Sequence, residues 1–266
     1  MTGRATTAIL VLLCALMLGA IGASTATAKG TTAFTCVTSE AGGAGFSDEH
    51  CTQAVGTGAK FEHVAIANKK VTKVVGTNTA TQNETKESTN GVLSGTLGGL
   101  ATEIVCTTMN LKGLIENNEA FGVMRVFATQ AAMKFQGCKV PKPANAEGKE
   151  RCKVSGEEFE APALGAMPFE EGEEMGLQFS SETSRWTEIL FEEGPGGKCP
   201  VAGKAVPLEG AENAVASGAT LVYVPGKPGT LILGGQKAKL AATFTIRMDP
   251  EGGAQQSPIS LTTTNP

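Results

Sequence analysis

Three sets of residues in this chain have the types to do chemistry: the cysteines, two histidines placed beside acids, and a run of glutamates. Beyond the first 28 residues the cysteines are Cys36, Cys51, Cys106, Cys138, Cys152 and Cys199. Their number is even and they lack metal-ligand spacing. No two lie two to four residues apart, and the only histidines are His50 and His63, so they read as three disulfides and not as a zinc site. Cys36 with Cys51 is the favoured first pair, because the intervening VTSEAGGAGFSDEH is rich in turn formers and a short loop closes at the least entropy. The segments Gly137-Cys138-Lys139-Val140 and Arg151-Cys152-Lys153-Val154 repeat a Cys-Lys-Val triplet around PKPANAEGKE. That repeat favours a hairpin with Cys138 facing Cys152, which leaves Cys106 for Cys199; the alternative is Cys106–Cys138 with Cys152–Cys199.

His50 follows Asp48 and Glu49, and His63 follows Glu62. Neighbours on a strand point to opposite faces, so these pairs do not cooperate directly. No Gly-x-Ser-x-Gly elbow is present, which leaves a serine hydrolase only a His-acid-Ser set assembled in space. From Glu157 to Glu193 there are eleven glutamates against the single Arg185. A solvated acidic loop or face is the favoured reading, and a docking surface for a cationic partner is the sharper one. Paired carboxylates also serve glycoside hydrolysis. Sugar platforms, however, are usually Trp or Tyr, and the chain has only Trp186 and Tyr223. Trp186, in RWTEILF, reads as a core residue. Asp48 and Asp249 are the only aspartates, so no calcium loop is spelled out, and no catalytic residue, metal or cofactor is assigned. Asn83-Glu84-Thr85 matches a glycosylation sequon.

The compartment follows from the other end of the chain. Arg4, the apolar run Ala8–Ala20 and the small residues Ala26-Thr27-Ala28 have the order of a cleavable secretory signal over residues 1–28. The run is shorter than the roughly 20 residues that span a bilayer, so no membrane span is expected after cleavage, and Cys14 leaves with the signal. The remaining 238 residues carry 21 basic and 26 acidic side chains, a balance that disfavours nucleic acid as partner. They suit a secreted or cell-surface protein whose paired cysteines form in an oxidising compartment.

The elements that must hold these residues read as strands. Short alternating segments recur at Phe61–Ile66, Val71–Val75, Gly91–Leu97, Glu103–Leu111, Phe121–Phe127, Met133–Val140, Met175–Ser180, Arg185–Phe191, Thr220–Val224, Thr230–Leu233 and Lys239–Met248. Gly, Asn, Pro and Thr clusters separate them, and helical stretches are few and short, with Ala211–Ser217 (AENAVAS) the best candidate. The fold class is therefore all-β, an antiparallel sandwich or barrel-like body stapled by disulfides with few short helices. The β-rich part runs over 29–250 with a possible subdivision near 141–150, and 251–266 is a tail or one more edge strand through Ile259 and Leu261. Thr77–Asn90 has no large apolar residue and reads as a long exposed loop. Gly95–Gly99 loosely resembles Gly229-Thr230-Leu231 with Gly234-Gly235, a likeness that chance readily produces in a chain with 34 glycines.

Taken together, the signal, TAFTCV, GFSDEHC, a TATQNET-like polar stretch, TEIVCTT, GCKV, and GLQF leading to KCPVAG resemble a group of uncharacterised secreted proteins of soil actinobacteria. The resemblance implies export and a β-rich body and carries no activity. The functional expectation is a secreted, non-catalytic binding or structural β-module, with a secreted hydrolase built on Glu carboxylates or a spatial His-acid-Ser set as the alternative.

Overall fold

Alternation in the sequence becomes alternation in space: in the strand Lys239–Met248 the buried residues are Leu240, Ala242, Phe244 and Ile246. The computed structural model describes residues 31–40, 42–49, 51, 53–78, 91–120, 123–171, 174–217, 220–223, 229–249 and 257–262. The leader expected over 1–28 lies outside the described residues, as do His50, the Asn83 sequon, most of the polar stretch 77–90 and much of 251–266. The fold is all-β, with a single 3₁₀ turn at Ser155–Glu157 as the one helical element among the described residues.

The strands form three antiparallel layers. The first contains β1 (Thr32–Thr38), β2 (Gly45–Phe46), β3 (Ala54–Val55), β4 (Phe61–Ala65) and β19 (Ile259–Thr262), in the order β19-β1-β4-β2-β3. The expected tail or edge strand is thus an edge strand, and Ile259 and Leu261 are buried in it.

The second layer is the central sheet. It comprises β5 (Thr72–Asn78), β6 (Gly91–Leu97), β7 (Leu100–Ala120), β8 (Val123–Lys142), β10 (Glu158–Glu171), β11 (Glu174–Ser181), β14 (Ala211–Ser217), β15 (Thr220–Tyr223) and β18 (Lys239–Met248). From β6 onward each strand pairs with the next of this set in chain order, and β15, β5 and β6 all pair with β18, so the sheet closes into a ring. β5 and β6 share one position in that ring. Between them they fill the gap from β7 to β18, β5 pairing with Asn110–Ile115 and Val74–Asn78 with Phe244–Met248, β6 pairing with Leu100–Cys106 and Val92–Ser94 with Lys239–Ala241. The result is an eight-position up-and-down barrel. Register shifts between Lys112 and Leu114 and between Ala161 and Ala166 mark bulges that bend the long strands around the ring.

The third layer is made of β9 (Cys152–Val154), β12 (Thr187–Glu193), β13 (Ala205–Glu209), β16 (Ile232–Leu233) and β17 (Gln236–Lys237), in the order β17-β16-β13-β12-β9. Every one of these strands lies in a connection between barrel strands: β8 to β10, β11 to β14, or β15 to β18. Because up-and-down strands alternate direction, these three connections emerge at the same end of the barrel, where they pair with one another. By contrast β7–β8, β10–β11 and β14–β15 have only two residues between strands. The barrel and the third layer share one contiguous cluster of buried apolar side chains.

The two glycine pairs that resemble each other in sequence have a common cause. Gly98-Gly99 and Gly234-Gly235 all have φ between 55° and 80°, and each pair joins strands whose flanking residues are opposed, Leu97 to Leu100 and Leu233 to Gln236. Positive φ at both positions is the two-residue hairpin geometry that glycine best tolerates.

The expected helix over Ala211–Ser217 is strand β14. Its residues have good helix propensity, but β11 and β15 flank it and supply hydrogen-bond partners on both sides, which outweighs a preference of a few tenths of a kcal/mol per residue. Thr77 and Asn78, placed in the exposed loop by composition, end strand β5. The acidic segment is a face and not a loop, since it forms β10, β11 and β12 with Phe159, Leu177, Phe179, Ile189 and Phe191 buried between outward glutamates.

One buried side chain ties the first layer to the barrel. Asn117 of β7 is 0% exposed. Its Oδ1 accepts from the Ala33 backbone N–H at 2.8 Å, and its Nδ2 donates to the carbonyls of Ala33 at 2.9 Å and Ile66 at 2.7 Å. Asn117→Ala leaves the Ala33 N–H and the Ile66 carbonyl without this partner, while the Ala33 carbonyl keeps the Ile66 N–H at 3.0 Å. The expected loss is about 3 kcal/mol of unfolding free energy, read from urea denaturation of the full-length mature chain; a change within about 0.5 kcal/mol, the range of ordinary surface substitutions, would contradict this role.

Candidate functional site

The six cysteines are joined as Cys36–Cys51, Cys106–Cys138 and Cys152–Cys199. The first is the pair favoured from loop length; the other two are the alternative pairing, and the hairpin that set Cys138 against Cys152 is corrected. The turn does form, with Ala144 bridged to Glu150 and the Arg151 N–H donating to the Pro143 carbonyl at 2.9 Å. In that register, however, Cys152 stands across from Lys142 and Cys138 across from Gly156, so the two sulfurs are four residues out of step. Cys138 instead lies opposite Cys106 in the β7–β8 ladder, and Cys152 opposite Glu193 in β12. Gly137, at φ 61°, precedes Cys138 and sits where a Cβ would come 2.3 Å from Thr107 Oγ1. Each layer therefore carries its own crosslink.

His63 lies opposite Cys36 on β4, between the rings of Phe34 at 5.2 Å and Phe46 at 4.3 Å. Its Nε2 is buried without a hydrogen-bond partner among the described residues, and burial holds its pKa below the ordinary histidine value. No hydroxyl or carboxylate is hydrogen-bonded to it among the described residues, so this ring is not placed as a general base. His50 lies outside the described residues.

The acidic segment does not converge on one site. Glu158 pairs with Lys134 at 3.2 Å on the barrel wall, Glu192 with Lys153 at 2.9 Å in the third layer, and Glu188 with Arg185. Glu182 Oε1 accepts from the Gln130 N–H at 3.0 Å, and Glu193 Oε2 from the Cys199 N–H at 3.4 Å. Hydrogen bonds from Lys134 and Gln136 lower the pKa of Glu158, and the Ser155 hydroxyl, 2.6 Å from Glu192, followed by Lys153, lowers that of Glu192. Among the described residues no three His, Cys, Asp or Glu side chains are grouped as metal ligands.

The barrel interior holds two features. Toward the short-connection end, Gly113, Ala128 and Ala131 from β7 and β8 meet Leu177, Phe179 and Leu221 from β11 and β15 around an apolar pocket. Room for the centre of a water-sized sphere there is about 30 Å³. A single water requires about 10–15 Å³ and several polar partners, so this is a packing space and not a chamber for a large ligand.

Toward the other end stands Glu212, 3% exposed, on the inward face of β14 between Phe179 of β11 and the chain leading into β18. The backbone N–H groups of Asn213 and Leu240 donate to its carboxylate, and a Cβ on Gly229 would lie 2.5 Å from Oε1. No cation pairs with it among the described residues. Burial pushes its pKa up to about 7, against the smaller opposing effects of the two backbone donors and of Lys239. Tyr223 of β15, 1% exposed, packs against Phe179 and Phe244 at ring distances of 5.7 Å, and its hydroxyl has no partner among the described residues. Burial, and then the charge of Glu212, raise its pKa well above that of a free phenol. Reading AENAVAS as a helix hid Glu212; read as a strand, it is the one ionisable residue on a face otherwise made of Ala214 and Ala216.

Trp186, expected in the core, is 1% exposed, and its indole N–H donates to the Gly210 carbonyl at 2.9 Å. No helix among the described residues is long and apolar enough to cross a membrane. The geometry defines a closed antiparallel barrel carrying two satellite sheets and three disulfides. Compared with protein families, with curated proteins and with solved structures, the chain matches none.

The lowered pKa of His63 means that the unfolded chain binds its proton more readily than the folded one. Stability from this residue is present above the ordinary histidine pKa and is lost as pH falls below it. The change in unfolding free energy on going from pH 5 to pH 7, taken with its sign, should therefore be more positive in the wild type than in His63→Leu; an equal or less positive change in the wild type would remove the desolvated histidine as the cause.

Proposed function

We propose that this chain is an exported, non-catalytic binding or structural module that acts through its outer surface, with its leader removed after Ala28. The observation that carries the reading is the placement of the crosslinks: all six cysteines among the described residues are paired, one bridge in each layer. Such pairing is at home outside the reducing cytosol, and disulfides add most where a protein must persist without chaperones. The interior supports the same reading. A barrel filled by its own side chains leaves recognition to the outer faces, satellite sheets and connections. The glutamates of β10 and β12 that pair with Lys134, Arg185 and Lys153 are engaged within the chain, which weakens the case for a dedicated cationic partner on that segment.

Expression with the native N-terminus in a secreting host tests this directly. The recovered product should begin at Lys29, resist alkylation before reduction, and yield peptides linked as Cys36–Cys51, Cys106–Cys138 and Cys152–Cys199. Retention in the cytosol with Met1 attached and free thiols would end the proposal. Loop entropy also ranks two of the bridges. Opening Cys152–Cys199, which closes 47 residues, should cost about 1 kcal/mol more than opening Cys36–Cys51, which closes 15. Paired Cys→Ala variants compared by denaturant unfolding give that difference.

A further inference from the structure

Glu212 sits at a structural junction. The chain leaves β15, contributes β16 and β17 to the third layer, and returns through Ala238 to begin β18. On the way it is clasped to the start of β14: the Thr230 N–H donates to the Ala211 carbonyl at 2.8 Å, and the Ala211 N–H donates to Thr230 Oγ1 at 3.2 Å. Gly210, at φ 91°, lies where a Cβ would meet the Thr230 carbonyl oxygen at 2.1 Å. The Glu212 carboxyl completes this clasp from the inside, touching the chain near Gly229 and accepting from the Leu240 N–H.

We propose that Glu212 is a proton-operated latch between the barrel and the third layer: neutral, its carboxyl stays buried beneath the segment Gly229–Leu240 where that segment packs against β14, and ionised, its demand for water loosens that junction. This proposal concerns regulation and does not depend on where the protein is exported. The described groups around the carboxyl compensate an ionised form only in part. Tyr223 faces it from β15 and stays protonated, and among the described residues Lys239 at the start of β18 is the cation that acts on it. Lys239 is itself exposed. Opposite on β11 stands Phe179, and the clasping segment presents Gly229 and Thr230, none of which is charged. Arg185 and Glu209, near the end of β13, lie 3.8 Å apart and partly exposed, engaged with each other. A buried carboxylate with two backbone donors and no paired cation is held in its charged form at a cost.

The sign follows from linkage. With a pKa of about 7 in the folded chain against the ordinary 4.5, the folded state binds more protons between those values. The stability from this group is complete below the lower value and is lost as pH rises through the upper one. On the mature protein, the folding equilibrium constant should fall with rising pH across this window by up to about 300-fold, tenfold per pH unit. Glu212→Gln keeps the shape and the acceptor oxygen while removing the charge, and the difference between it and the wild type cancels the opposing titration of His63. That difference should grow steadily from pH 5 to pH 8. Hydrogen exchange, corrected for the intrinsic pH dependence, should show amides within Thr230–Leu240 losing protection in the wild type over the same range and keeping it in Glu212→Gln. A pH-independent difference between the two proteins, or unchanged exchange of that segment in the wild type, overturns the latch. Should Glu212→Gln fail to fold, a carboxyl-carbon NMR titration of the wild type decides: a midpoint near 7 supports the proposal, and one in the ordinary carboxylate range defeats it.

Discussion

The pairing of Thr220–Tyr223 with Ala242–Thr245 is the constraint on which the rest of the molecule depends. Without it the central sheet would be an open ribbon with two unpaired edges, each a row of donors and acceptors exposed to other chains. With it, every barrel strand has two neighbours, and one face of each is turned to a shared interior. Closure also explains the small residues inside. Eight strands enclose a space that side chains just fill, and Ala128, Ala131, Ala166 and Ala214 lie buried among Leu177, Phe179, Tyr223 and Phe244.

Ring closure in turn sets where everything else can go. Alternating strand directions send three long connections to one end, where their short strands are individually too small to be stable and pair into the third layer. At the other end the first layer is held by the three hydrogen bonds of Asn117 and by the contact of β19 with β14 and β18. The crosslinks then act within layers already defined by hydrogen bonding. Cys106–Cys138 joins adjacent strands, while Cys152–Cys199 closes the longest loop of the three.

The buried Glu212 is a consequence of the same closure. On an open sheet its position would reach solvent; inside the ring its carboxyl meets Phe179, the backbone near Gly229 and two N–H donors. His63 shows the same principle in the first layer, where two phenylalanine rings and the Cys36 strand half-bury it and leave Nε2 without a partner among the described residues. In both cases an ionisable group is perturbed because a neighbouring element covers it, and in neither case does a second reactive side chain complete a catalytic set among the described residues.

Alternation of side chains was enough to read most strands, because period-two burial is a local property: Gly91–Leu97 and Lys239–Met248 match their segments residue for residue. Cysteine parity predicted three bridges, and the short turn-rich loop predicted Cys36–Cys51, because both arguments need only spacing and loop entropy. The outward set of Glu188 and Glu192 around Ile189 and Phe191 was likewise legible as a face. What local order could not decide was partnership between distant segments. Cys138 and Cys152 have matching neighbours, yet the turn register puts them four residues apart, and only the long β7–β8 ladder brings Cys106 to Cys138. Ala211–Ser217 has a helix former's composition, and only the flanking β11 and β15 make it a strand. Glu212 became a buried acid for that reason alone, since side-chain burial is set by what closes over a residue, and the residues that close over it lie on other strands.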